Sequence, residues 1–136
     1  MPKIFFYGLF MDTKILASKG IRPTIARPVT IDGYGLTIGA RASLVKEEGG
    51  CTHGILMSIT PDEETQLYAS EGVEDYRAIT IPAAYDDGSS EDVVSYVLPP
   101  DKVSGTNAEY AKALLLLAKE LKFPKAYLER IKSFTF

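Results

Sequence analysis

Lys3-Ile-Phe-Phe-Tyr-Gly-Leu-Phe-Met11 is an apolar run that meets a glycine and then passes into a helical pattern. Residues 3–7 are hydrophobic throughout, as a central strand covered on both faces requires. The run therefore predicts a buried strand that stops abruptly and turns into a helix. Gly8 at that turn lets a ligand approach the backbone, and the amides that open the helix point outward as an anion site. The expectation is a pocket built over this turn, with one carboxylate, Glu71, brought to it from elsewhere in the chain.

Working outward, Met11, Ile15 and Leu16 follow a helical spacing up to Lys19, and Asp12 suits the positive end of the dipole. Gly20 and Pro23 then stop the helix. Residues 24–39 read as extended, interrupted by Pro28 and by glycines 33, 35 and 39, which points to an edge, a bulge or a sharp bend. A short strand is predicted over Ala40–Val45, closed by a turn at Lys46–Gly50, and a further strand over His53–Ile59. Thr60-Pro61-Asp62-Glu63 is a capping box with proline at the first helical position. It opens a helix that runs to Ser70–Glu71, with Gly72 as its stop. Strands at 76–85 and 92–98 flank a hairpin turn at Asp86–Ser89. Prolines 99 and 100 and Ser104-Gly105 mark a loop. A helix over Thr106–Leu121 follows, with a Thr106/Glu109 box and a Leu114–Leu117 run that is apolar almost all round, so that much of it is expected to be buried. Phe123-Pro124 breaks it, and a last helix to Lys132 turns Tyr127, Leu128 and Ile131 inward. About six strands and four helices with long hairpins favour an α+β fold whose sheet curls into a small mixed β-barrel with flanking helices.

The chain has 136 residues, enough for one domain (residues 1–136) with a real core. A net charge of −3 argues against nucleic acid as a partner, because phosphate contacts need clustered Lys and Arg. No apolar run reaches the roughly 20 residues of a membrane span, and no signal-peptide pattern precedes the first strand. Cys51 is the single cysteine, which excludes an intramolecular disulfide and a cysteine-based metal site. The plain expectation is a cytoplasmic protein with no membrane partner.

Glu71 is the most informative candidate for chemistry. It is placed at the last turn of its helix, where a carboxylate faces the negative end of the dipole at a cost of about 0.3–1 kcal/mol. The same field raises its pKa, as does burial, and a raised pKa is what a general acid/base near neutral pH needs. Position alone still favours a solvated glutamate on a frayed helix end. His53, the sole histidine, has no companion at metal-ligand spacing and reads as a strand-edge residue. Cys51 lies two residues before it, whereas catalytic Cys and His normally meet through the fold. The carboxylates at 86, 87, 91 and 92 read as turn formers and solvent-facing charges. Most tyrosines read as core and sheet residues, with Tyr7 beside the turn and Tyr76 after the Glu71 loop the better pocket candidates.

These residues resemble a family. Tyr7-Gly8-Leu9-Phe10 after a hydrophobic strand is similar to the Tyr-Gly-Ser/Thr-Asn/Leu loop of the γ-glutamylcyclotransferase-like proteins. Gly39–Val45 with His53-Gly-Ile-Leu, Glu71-Gly72-Val73 with Tyr76-Arg77, and Asn107–Ile131 with Tyr110 follow that family's pattern in order along nearly the whole chain. Leu9 departs from it, standing where the family has a hydroxyl residue, and Phe10 replaces the usual Asn or Leu. The resemblance implies a cofactor-free, metal-free cyclisation of a small γ-glutamyl compound. The α-amine attacks the γ-carbonyl and releases 5-oxoproline and a free amine or amino acid. It implies that Glu71 is the general acid/base, that the backbone of Gly8, Leu9 and Phe10 binds the glutamyl carboxylate, and that Tyr76 and Tyr110 shape the pocket beside Tyr7. Two alternatives stay open at this point: a catalytically inactive small-molecule binding module and a protein-interaction module of the same fold. The leaving amine and the oligomeric state are not legible in the chain.

Overall fold

In the computed structural model, which describes residues 2–69 and 73–135, the opening run forms strand β1, Lys3–Phe6. Ile4, Phe5 and Phe6 are 0–3% exposed, as a strand covered on both faces must be. The chain then tightens into a 3-10 turn at Leu9–Met11 and restarts as helix α1, Thr13–Ser18. The expected single helix from Met11 is thus two pieces. Met11 N–H and Asp12 N–H bond back only three residues, to Gly8 O and Leu9 O, and the Asp12 side chain caps α1 by accepting from Lys14 N–H.

Strand β2 (Ala26–Ile38) pairs along its length with β3 (Ala42–Ser58). The sequence suggested two strands and a turn where there is one strand of 17 residues. The physical reason lies on the partner: Asp32 faces Cys51, but Tyr34 faces Lys46, so residues 47–50 oppose Gly33 alone. Gly33 and Gly49 both take positive φ there, 84° and 75°. The turn chemistry of Lys46–Gly50 is absorbed as a bulge inside a continuous strand. That bulge carries Glu47, which meets Arg130 in a two-pronged ion pair at 2.8 and 2.9 Å.

Helix α2 (Pro61–Tyr68) opens on both halves of the expected box: Glu63 N–H donates to Thr60 Oγ1 at 3.0 Å and Thr60 N–H to Glu63 Oε1 at 2.8 Å. Thr60→Ala is expected to cost about 1 kcal/mol in a denaturant titration, without changing the slope of the transition. The helix ends at Tyr68, and the expected stop at Gly72 lies outside the described residues. Strands β4 (Arg77–Ala84) and β5 (Ser90–Val97) form the predicted hairpin, with Gly88 at φ 89° in the turn. After a 3-10 turn at Pro100–Lys102 come α3 (Ala108–Glu120) and α4 (Lys125–Lys132). The cap of α3 is Asn107, accepting from Tyr110 N–H, not Thr106. Of its leucine run, Leu114 is fully buried and Leu115 and Leu117 are half-buried, while Leu116 is 65% exposed.

The described strands number five rather than six. They close as β1-β3-β2-β4-β5, with β1 antiparallel to β3 and parallel to β5 at Ile4 and Val94. The fold is a small mixed α+β domain, a closed five-stranded barrel with four helices. Ile31, Leu36, Leu56 and Ile81 contribute to its core, and Leu114 and Ile131 bring α3 and α4 onto it.

Candidate functional site

The end of β1 opens onto a cavity of about 380 Å³, a size suited to a small molecule. Tyr7, Gly8, Leu9, Phe10, Tyr76 and Tyr110 all line it. These are the six binding candidates read from the chain, drawn from the β1 turn, the segment before β4 and the first turn of α3. Glu71, the expected acid/base, lies outside the described residues. Tyr68 and Val73, on either side of it in the chain, line the cavity.

Helix α3 and the β1 turn meet at Tyr110. Asn107 fixes the start of the helix, accepting from Tyr110 N–H at 3.0 Å and donating to Ala40 O at 3.2 Å in the β2–β3 hairpin. Tyr110 Oη then accepts from Leu9 N–H at 3.1 Å. A Cβ on residue 8 would collide with this same hydroxyl, so the glycine is needed for close approach. The turn is therefore less open to an anion than the sequence suggested. The Leu9 amide is spent on Tyr110 and the Met11 amide on Gly8 O. The Gly8 and Phe10 amides donate to no group among the described residues.

The phenols of the cavity have different duties. Tyr7 donates to Tyr96 O at 2.6 Å and Tyr76 to Ala42 O at 2.5 Å, each tying one wall to another. Tyr96 donates to Glu64 Oε2 at 2.6 Å. Among the described residues Tyr110 Oη only accepts, which leaves its own proton for a ligand. Burial pushes the hydroxyls of Tyr7 and Tyr68 well above the usual phenol range and raises those of Tyr76 and Tyr110 as well. They therefore act as neutral hydrogen-bonding groups near neutral pH. Arg41 is the sole charged side chain among the described lining residues. Its Nη1 lies 3.1 Å from Asp75 Oδ2 and its guanidinium 5.9 Å from the Tyr76 ring.

Sequence reasoning missed Arg41, Tyr68, Tyr96 and Asn107 as cavity residues. Tyr68 carried a signal: an aromatic in the last turn of a helix with Asp62, Glu63 and Glu64 in its first, three positions before Glu71. Cys51 and His53 do not reach this cavity. The His53 ring packs 4.9 Å from Tyr127 and 5.8 Å from Phe123. Burial raises the Cys51 thiol, helped by Asp32, and lowers the His53 imidazole. That pair therefore favours neutral thiol and neutral ring over the thiolate a nucleophile needs.

No curated protein matches the sequence. Among solved structures, the fold is similar to one described as "Gamma-glutamyl cyclotransferase", with a TM-score of 0.75 at 19% identity over 97% of this chain and 86% of that one. It is similar to an uncharacterized Homo sapiens protein, with a TM-score of 0.77 at 18% identity over 97% and 86% of the two chains. It is also similar to YkqA from Bacillus subtilis, with a TM-score of 0.80 at 22% identity, covering 98% of this chain and 54% of that one. At these identities the likeness establishes the fold. The family model described as "Gamma-glutamyl cyclotransferase, AIG2-like" matches residues 4–113, from β1 into α3. That span takes in the turn, the Glu71 segment and Tyr110, and on it the chain belongs to the γ-glutamyl cyclotransferase, AIG2-like family.

Proposed function

We propose that the protein is a γ-glutamyl cyclotransferase that releases 5-oxoproline and a free amine from a small γ-glutamyl compound. The supporting observation is one cavity lined by the Tyr7–Phe10 turn, Tyr76 and Tyr110 together with Tyr68 and Val73, in a chain of this family. Glu71 takes a proton from the substrate α-ammonium. The freed amine attacks the γ-carbonyl, forming the C–N bond of the five-membered lactam. As the tetrahedral centre collapses, the bond to the leaving nitrogen breaks; that nitrogen takes the proton held by Glu71 and the second proton shed by the new ring nitrogen, and departs as an ammonium while the lactam keeps one N–H. The nucleophile belongs to the substrate, so proximity supplies much of the rate and one proton carrier suffices. The Gly8 and Phe10 amides and the Tyr110 hydroxyl hold the glutamyl carboxylate.

The test is incubation with a panel of γ-glutamyl amines and dipeptides, followed by detection of 5-oxoproline. Release from at least one is expected, and release from none overturns the reading in favour of a module that binds without turnover. Within that assay, Tyr110→Phe keeps the ring but removes both the acceptor for Leu9 N–H and the ligand donor. The loss of a hydrogen bond of about 0.5–1.5 kcal/mol is expected to raise KM roughly three- to tenfold, with a smaller change in kcat.

A further inference from the structure

One wall of the cavity is a row of aromatic rings. Phe6 meets Phe10 edge-on at 6.1 Å, Phe10 meets Tyr68 edge-on at 6.3 Å, and Tyr68 stacks on Tyr96 at 3.5 Å with the planes 11° apart. Glu64 holds the end of the row through the Tyr96 hydroxyl. Tyr68 is partly buried and lines the cavity, yet its hydroxyl bonds to no group among the described residues. A phenol on the cavity wall with no partner among the described residues is open to a group that enters the cavity, and the ring itself lines the space a ligand would fill. The chain also departs from the resembled pattern here, presenting the hydrocarbon of Leu9 and the ring of Phe10.

Charge is scarce on these walls. Arg41, already engaged by Asp75, is the one ionic group among the described lining residues. The γ-glutamyl group brings an ammonium and a carboxylate of its own, which the cyclotransferase reading assigns to Glu71 and to the turn amides. What remains for the body of the leaving amine is a surface of rings and aliphatic side chains. A second ammonium or carboxylate on that body would leave water for a ring wall, Phe10, Tyr68 and Tyr96, that carries no charged side chain of its own. A hydrocarbon or aryl body gains by burial and by offset or edge contact with the rings.

We propose, resting on the cyclotransferase reading above, that the leaving amine carries an apolar and preferably aromatic body seated against Phe10, Tyr68 and Tyr96, with the Tyr68 ring setting the preference. The covalent chemistry is unchanged; the inference concerns which amine departs.

The test compares γ-glutamyl methylamide, isopentylamide, phenethylamide and the lysine ε-amide. Wild-type kcat/KM is expected to rise at least tenfold from the methylamide to the phenethylamide, with the lysine compound at or below the methylamide. Glutaryl analogues of the four lack the α-amine and cannot cyclise, so calorimetric titration with them reads the cavity apart from turnover, and the same order of affinity is expected. Tyr68→Ala is expected to flatten the series while Tyr68→Phe keeps it, because the ring and not the hydroxyl selects. A flat series, or a preference for the lysine compound, in both turnover and titration overturns the inference. If the glutaryl phenethylamide binds tightest while no γ-glutamyl compound yields 5-oxoproline, the apolar preference of the cavity stands and the cyclotransferase reading falls.

Discussion

Glu71→Gln is expected to lower 5-oxoproline release by about a hundred- to ten-thousandfold, the range lost when a positioned general acid/base is removed. Glutamine preserves size and hydrogen bonding but can neither accept the ammonium proton nor return one to the leaving nitrogen. The substrate amine then stays protonated and carries no lone pair for attack. The loss should appear in kcat and leave KM nearly unchanged, because the carboxylate binding proposed for the turn is untouched. Full activity in the variant would remove Glu71 from the mechanism.

Gly54→Ala is expected to be the most damaging small substitution in the barrel. Gly54 sits in β3 opposite Val29, where β1 crosses closely. A Cβ there would strike the Phe6 carbonyl oxygen and come within 2.6 Å of the Phe5 ring. One obstacle is backbone and the other is a ring only 1% exposed, so neither can swing aside. Overpacking of this kind costs about 1–3 kcal/mol, occasionally more, out of a total domain stability on the order of 5–15 kcal/mol. A fall in melting temperature of roughly 3 °C or more per kcal/mol is expected by calorimetry. The displaced strand also leads into the Tyr7–Phe10 turn, so KM should rise in the same variant. An unchanged melting temperature would show that β1 can retreat from β3 without loss.

What the chain disclosed and what it withheld divide along a physical line. The strand before Gly8, the Thr60/Glu63 box and the hairpin around Gly88 are short-range chemistry, and each was legible from residues next to one another. The continuity of β3 was not, because the glycine that absorbs the excursion at residues 47–50 lies on another strand, at position 33. The cap of α3 went to Asn107 over Thr106, two adjacent cap formers separated only by which one ties back to Ala40. For the site, a family resemblance pointed to Tyr76 and Tyr110 through their positions. Tyr68 and Tyr96 were hidden because a polar helix and a hairpin strand give no sign that their rings will stack.

The parallel contact between Ile4 and Val94 joins the first and last strands of the barrel, and it carries a kinetic consequence. Its two ends are ninety positions apart in the chain, so most of the polypeptide is a loop that must close before this contact can form. The cavity takes its walls from both sides of that seam, Phe5 to Phe10 on one and Tyr96 and Tyr110 on the other. No half-built barrel can therefore hold a half-built site. Competence to bind arrives with the late, non-local step of folding, and the first event that parts β1 from β5 abolishes it.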